Sequence, residues 1–174
     1  GQLAAEKLAD FGCKNVAFLR IGSSLNNEPN KRKAGFENGC LSRGLNYEMK
    51  ILNDGDSYEE FEEFLSSHIS GTKLSFDGIF CVTDSLAYSI LKTLQRLGQK
   101  VPEDVQVIGF DGTRFFGNKD YVCSTIVQPL PEIAEMCVEL LLQENMPSKP
   151  PLVCLPVSYC YGGTTLEVLS RRDK

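Results

Sequence analysis

Arg32, Thr83 and Asp111 stand out chemically because Thr83 and Asp111 lie at the ends of short apolar runs that read as strands, and Arg32 follows the loop 22–30 after another. A guanidinium donates through a fixed fork, a carboxylate accepts, and a hydroxyl does both; together they suit a neutral ligand rich in hydroxyl groups. Residues 56–58, after another such run, add a carboxylate at Asp56 and an aromatic ring at Tyr58 that could stack on a sugar face. In an open parallel sheet the carboxyl ends of the strands share one rim, and ligands bind there. A carbohydrate fits this set best, gripped without being transformed. His68, the only histidine, sits at the polar end of a helix pattern, which leaves Ser and Cys without their usual activating base.

Each of these residues also has a plainer reading. Asp84, at the start of a helix, reads as its N-cap, Thr83 as an ordinary strand end, and Asp111 before Gly112 as an Asx turn. Arg32 belongs to the basic run Lys31-Arg32-Lys33, a pattern typical of a solvated face, and Tyr58 fits a helix core stripe. His68 reads as a surface residue near a helix C-terminus. GFDGT at 109–113 is similar to the D-x-D-G-T motif of haloacid-dehalogenase-like phosphatases, but Gly109 stands where the attacking aspartate is required. Without that nucleophile the phosphatase chemistry has no first step, and the chain is not expected to be an enzyme.

The elements that must position these residues follow from periodicity. Residues 2–11 put Ala4, Ala5, Leu8 and Phe11 on one side of a helix that Gly12 stops, and 15–21 form a strand. Asn30 is placed to cap a second helix carrying Phe36, Cys40 and Leu41 as far as Gly44, with a strand over 47–52. Tyr58, Phe61, Phe64, Leu65 and Ile69 recur at helical spacing; strand 78–82, a helix with Leu86, Ile90, Leu91, Leu94 and Leu97, and strand 105–109 follow. Successive helix-then-strand units predict an α/β fold with a parallel, doubly wound sheet. A looser stretch at 113–121 precedes a strand over 124–127, a helix with Ile133, Met136, Cys137, Leu140 and Leu141, a proline cluster at 147–151, and a last strand over 152–161.

Composition narrows the partners. The 174 residues, 42% hydrophobic, suffice for one compact domain, and no apolar run is long enough to span a bilayer. A net charge of -5 opposes tight binding to a phosphate backbone by this chain alone. The seven cysteines include no C-x-x-C pair and no zinc-like spacing, so they read as reduced, mostly buried residues of a cytoplasmic protein, with no metal or cofactor implied. The opening residues lack the basic start and apolar core of a signal peptide.

Five segments in order resemble the effector-binding core of LacI/GalR-family bacterial transcription regulators. They are GQLAAEKLADFGCKNVAFL, KRKAGFENGC, DGIFCVTDSLAYSILKTLQRLG, VPEDVQVIGFDGT with STIVQPLPEIAEMCVELL, and LPVSYCYGGTT, covering nearly all of 1–165. The DGT variant and GGTT ending resemble sucrose- or ribose-operon repressors of Gram-positive bacteria. The resemblance implies a two-lobed periplasmic-binding-protein-like fold, a sugar effector, a homodimer, and operator DNA bound through an N-terminal helix-turn-helix preceding Gly1. An exported sugar-binding protein of a transport system is the alternative on the same fold. By position, Arg32 matches the effector-binding arginine, Asp111 the carboxylate that grips sugar hydroxyls, and Gln128 the hinge-side glutamine. Thr83 stands where many members have asparagine, and Ser57 where an aromatic platform is usual, leaving Tyr58 as its substitute. The family pattern assigns 1–124 and 156–165 to the carboxyl-side lobe, 128–155 to the crossover and other lobe, and 166–174 to a tail. It also implies subunit pairing through Tyr88, Leu91, Arg114, Phe115 and Phe116, and association through a helix at Ile133, Met136 and Leu140 that lacks part of its packing surface.

Overall fold

The apolar runs become the interior strands of a sheet. In the computed structural model, which describes residues 1–22, 27–52, 58–114, 120–142 and 152–166, the chain begins with α1 (Gln2–Asp10), β1 (Asn15–Ile21), α2 (Asn27–Arg43) and β2 (Asn46–Leu52). It continues through α3 (Glu59–Ser67), a small hairpin of β3 (Ile69–Ser70) and β4 (Lys73–Leu74), β5 (Gly78–Cys81) and α4 (Asp84–Arg96). Then follow β6 (Gln106–Asp111), β7 (Ser124–Val127), α5 (Leu130–Leu141) and β8 (Ser158–Cys160). Six strands form one sheet in the order β2-β1-β5-β6-β7-β8. All neighbours are parallel except β8, which runs antiparallel to β7 at the edge.

Strand order explains burial. Every residue of β5 is buried, as are the inner residues of β1 and β6, because helices cover both faces of a parallel sheet; β2, on the edge, is mostly exposed. Right-handed crossovers put α2 on one face and α3 and α4 on the other. The chain therefore reverses direction at β1 and β5, and a crevice opens beyond their carboxyl ends. Phe18 and Phe80 are register partners on these strands, and Phe36 of α2 closes over both, with centroids 5.7 and 5.4 Å away. Close crossing of α1 and α2 depends on Gly39, where a Cβ would lie 2.7 Å from Cβ of Ala5.

The terminal GGTT pattern is a clasp. Thr164 Oγ1 accepts from the Ser124 amide at 2.8 Å and donates to the Val107 carbonyl at 2.7 Å, while Thr165 meets both Ser124 and Tyr159 through hydroxyls. Gly162 permits the approach, since a Cβ there would sit 2.3 Å from the Cys123 carbonyl carbon.

Several expectations need correction. α2 begins at Asn27, so Asn30 is not its cap; Asn30 Oδ1 instead accepts from the buried Arg20 Nη1 at 2.6 Å. Leu41 is 68% exposed and faces away from the core. Ile69 leaves the helical stripe for the β3 hairpin. The last strand covers only Ser158–Cys160, because β7 offers a partner no further than Val127. His68 is more than a surface residue: its ring lies between Phe64 and Phe76, at 4.6 and 4.7 Å, with Nε2 3.1 Å from Glu48. Four cysteines are buried, but Cys137 and Cys154 are exposed, and all seven are free. The exposure expected of the helix at Ile133, Met136 and Leu140 is present, by contrast: no residue of α5 is buried, and its apolar side lines a cavity of about 510 Å³ with segment 152–157.

Candidate ligand-binding site

The strand tips bring Arg32, Asp111 and Gln128 together. Arg32, on the second turn of α2, lays its guanidinium over the Phe110 ring with Cζ 3.7 Å from the centroid. Its Nη1 donates to the Val82 carbonyl at 2.8 Å, and Nη2 lies 3.8 Å from Asp111 Oδ1. Gln128, just past β7, donates from Nε2 to the same carboxylate oxygen at 3.0 Å. Arg32 and Asp111 keep 20% and 32% of their side chains exposed, enough to meet a ligand. Asp111 has φ 120°, the one positive φ of a non-glycine residue among those described, so its backbone is held in a strained state. Burial raises the Asp111 carboxyl from its ordinary range, and Arg32 and Gln128 counter that shift. Burial likewise lowers the Arg32 guanidinium.

Behind this pair is a lock absent from the expected site. Thr83, not Asp84, is the N-cap of α4, its hydroxyl accepting from the Leu86 amide at 3.3 Å. Asp84 is 1% exposed and turns inward. Its Oδ1 accepts from the Thr125 hydroxyl and its Oδ2 from the Thr113 amide, both at 2.6 Å, and Thr125 Oγ1 also accepts from the Gly112 amide at 3.3 Å. Tyr88, one turn along α4, donates to the Thr113 carbonyl at 3.1 Å. The turn carrying Asp111 is thus held from behind by two residues of α4. Asp111 forms no Asx turn in this arrangement; its carboxylate is committed to Arg32 and Gln128.

Burial pushes the Asp84 carboxyl up to about 6, with the Asp111 charge adding to the shift and the Thr125 and Thr113 hydrogen bonds opposing it. A carboxyl whose folded value exceeds its ordinary 3.8 binds its proton more tightly when folded, so stability falls as pH rises between those values. Relative to Asp84→Asn, the wild-type chain should lose about 2–3 kcal/mol of stability between about pH 4 and pH 7. Urea unfolding across that range measures it; an unchanged difference between the two proteins would mean that no buried charge sits at this position.

The remaining predicted residues are more dispersed. Tyr58 is half exposed at the N-cap of α3, 6.3 Å from Phe61, and lines an α3–α4 recess with Glu62, Lys92 and Arg96. Tyr88 and Leu91 are partly buried against the core, and Arg114 lies exposed, 5.0 Å from the Tyr121 ring. Asp56, Ser57, Phe115 and Phe116 lie outside the described residues. Phe110 ends an apolar run and reads as core in the sequence; its place immediately before Asp111 is the signal that points to it as the surface under Arg32.

Fold and cluster together define an α/β lobe with Arg32, Asp111 and Gln128 gathered beyond the carboxyl ends of β5, β6 and β7. Residues 5–165 match the periplasmic binding protein-like domain family. The chain belongs to that family, and it is similar to LacI/GalR-type regulators. It is 31% identical over 147 residues to the sucrose operon repressor of Pediococcus pentosaceus, covering 82% of this chain and 43% of that protein. A periplasmic binding protein/LacI transcriptional regulator of Alkaliphilus metalliredigens, complexed with D-xylulofuranose, superposes with a TM-score of 0.71 at 25% identity, over 95% of this chain and 62% of that one. The Lac repressor bound to ONPG shares the fold, with a TM-score of 0.76 at 21% identity, over 94% of this chain and 49% of that one. The chain spans less than half the length of the curated relatives it matches.

Proposed function

We propose that this chain is the effector-binding part of a LacI-type repressor of a sugar-utilisation operon, working as a cytoplasmic homodimer that makes and breaks no bond. The supporting observation is the convergence of Arg32, Asp111 and Gln128 beyond the carboxyl ends of β5, β6 and β7, in a chain whose relatives include sugar-operon repressors. Sugar hydroxyls would donate to Asp111 and accept from Arg32 and Gln128, with the Thr83 hydroxyl at the adjoining strand end. In this reading 1–124 and 156–165 form the carboxyl-side lobe and 128–155 the crossover and part of the other. The exposed α5 accords with that division. Operator DNA is contacted by a helix-turn-helix outside this chain, whose net charge of -5 suits it to a role away from the phosphates.

Effector binding acts by population shift, limited by the ligand's preference between two lobe orientations. The pairing surface is formed by α4 and the segment after Asp111, with Tyr88, Leu91 and Arg114. Because Asp84 and Tyr88 brace the turn beside Asp111, a ligand that reorients Asp111 loads the same helix. Calorimetric titration of the full-length regulator with a panel of pentoses, hexoses and disaccharides tests the reading. Asp111→Ala should abolish binding, and Arg32→Lys, which loses the fork to Val82 and Asp111, should weaken it about 10-fold to 100-fold. Unchanged affinity in both variants would place the site elsewhere.

A further inference from the structure

We propose that Asp84 is a positioning residue for the Arg32–Asp111 pair: ionised, its carboxylate fixes the turn that presents Asp111, and protonation releases that turn, so that ligand affinity falls on acidification. The effect on affinity rests on the sugar-binding reading of the cluster, whereas the effect on the turn does not.

The Asp84 carboxylate occupies the space that Gly109 leaves by having no side chain. Both of its oxygens are already committed as acceptors, Oδ1 to the Thr125 hydroxyl and Oδ2 to the Thr113 amide, each at 2.6 Å. A proton added at Oδ2 meets the Thr113 N–H, which cannot reverse its role. Added at Oδ1, it meets the Thr125 O–H, which must turn away and leave Thr125 Oγ1 accepting from both Asp84 and the Gly112 amide. Either way, the turn loses a hydrogen bond made to an anion, the stronger kind. That hold matters because Asp111, immediately before Gly112, keeps a φ of 120° that a residue with a side chain avoids. With the turn slack, the Asp111 backbone relaxes and its carboxylate leaves the place where Arg32 Nη2 stands 3.8 Å away.

The titratable groups facing Asp84 come from each element packed against it. Cys81 of β5, Cys123 before β7 and Tyr88 of α4 are all raised by burial and stay neutral in mildly acidic solution. Asp111 of β6 adds a negative charge, itself paired with Arg32 of α2. Lys92 of α4 lines the recess beside Asp111 and Thr113, and Arg114 lies over the Tyr121 ring. Burial brings Asp84 to about 6, so it is ionised at about pH 7.5 and mostly protonated at about pH 5. Protonation removes a buried charge and favours the fold as a whole, yet it slackens this one turn; global stability and local hold respond in opposite directions.

Nuclear magnetic resonance of the isotopically labelled chain should show the Asp84 carboxyl and the Thr113 amide titrating with one midpoint at about 6, and the Asp111 carboxyl showing a step there besides its own. In calorimetric titrations of the full-length regulator with sucrose and with D-ribose, Asp84→Asn should bind about tenfold more weakly than wild type at about pH 7.5 and only about twofold more weakly at about pH 5. The neutral amide reproduces the protonated carboxyl at every pH, and the ratio of the two affinities removes the titration of Asp111 that both proteins share. A ratio that stays constant with pH would make Asp84 a merely structural residue and overturn the proposal, as would a Thr113 amide that ignores the Asp84 midpoint. Heat from neither sugar would count against the sugar reading alone, and the resonances of the chain would then decide for or against Asp84.

Discussion

Gly109→Ala is expected to destabilise the chain by about 3 kcal/mol or more, the upper range for forcing atoms into a packed site, and to lower its melting temperature by about 10 °C. An alanine Cβ at this position would lie 2.2 Å from Asp84 Oδ1 and 3.2 Å from Asp84 Cα. Neither side can yield cheaply. β6 is paired on both edges, with β5 and β7, and the Asp84 carboxylate is fixed by Thr125 and Thr113. Removing the obstacle offers a check: Asp84→Ala combined with Gly109→Ala should cost less than the sum of the two single changes, because they share one contact. Thermal melting of the four proteins decides it; additive losses would show that the two side chains do not meet. The same contact disposes of the phosphatase-like string, since an aspartate at 109 would press a second carboxylate against Asp84.

Phe36→Ala should cost about 3–5 kcal/mol, the usual toll for emptying an aromatic site in a packed core. The ring is fully buried against Phe18 and Phe80. Its effect should also reach the candidate site. Phe36 lies four residues after Arg32 on the same side of α2, so it seats the turn from which the guanidinium reaches Phe110 and Val82. Urea unfolding should show the large loss for alanine and a smaller one for Phe36→Leu, which retains apolar volume. In the full-length regulator, Phe36→Leu should weaken sugar binding less than Arg32→Lys. If leucine proved as costly as alanine, ring packing would not be what seats α2.

Much of the scaffold could be read because its signals are local. Hydrophobic periodicity separates β1, β5 and β6 from α1 and α4, and glycines at 12, 44 and 98 stop helices with positive φ, which side chains avoid. The rim could be read too, since the strand–helix alternation already requires Arg32 and Asp111 to share one edge. What escaped were partners distant in sequence. Asp84 looks like a helix cap by position, yet its bonds go to residues 29 and 41 positions away. Asn30 looks like a cap, yet it answers a buried arginine in β1.

By itself, then, the order of residues determined the alternating elements, the mostly parallel sheet and the rim where a polar ligand would sit, because periodicity and turn chemistry act over a few residues. Only the tertiary structure decided that Phe110 underlies the Arg32 guanidinium and that Asp84 braces the Asp111 turn from inside. Those outcomes depend on which atoms meet when distant segments pack, and hydrogen-bond partners compete for a buried group only after water has been excluded from it.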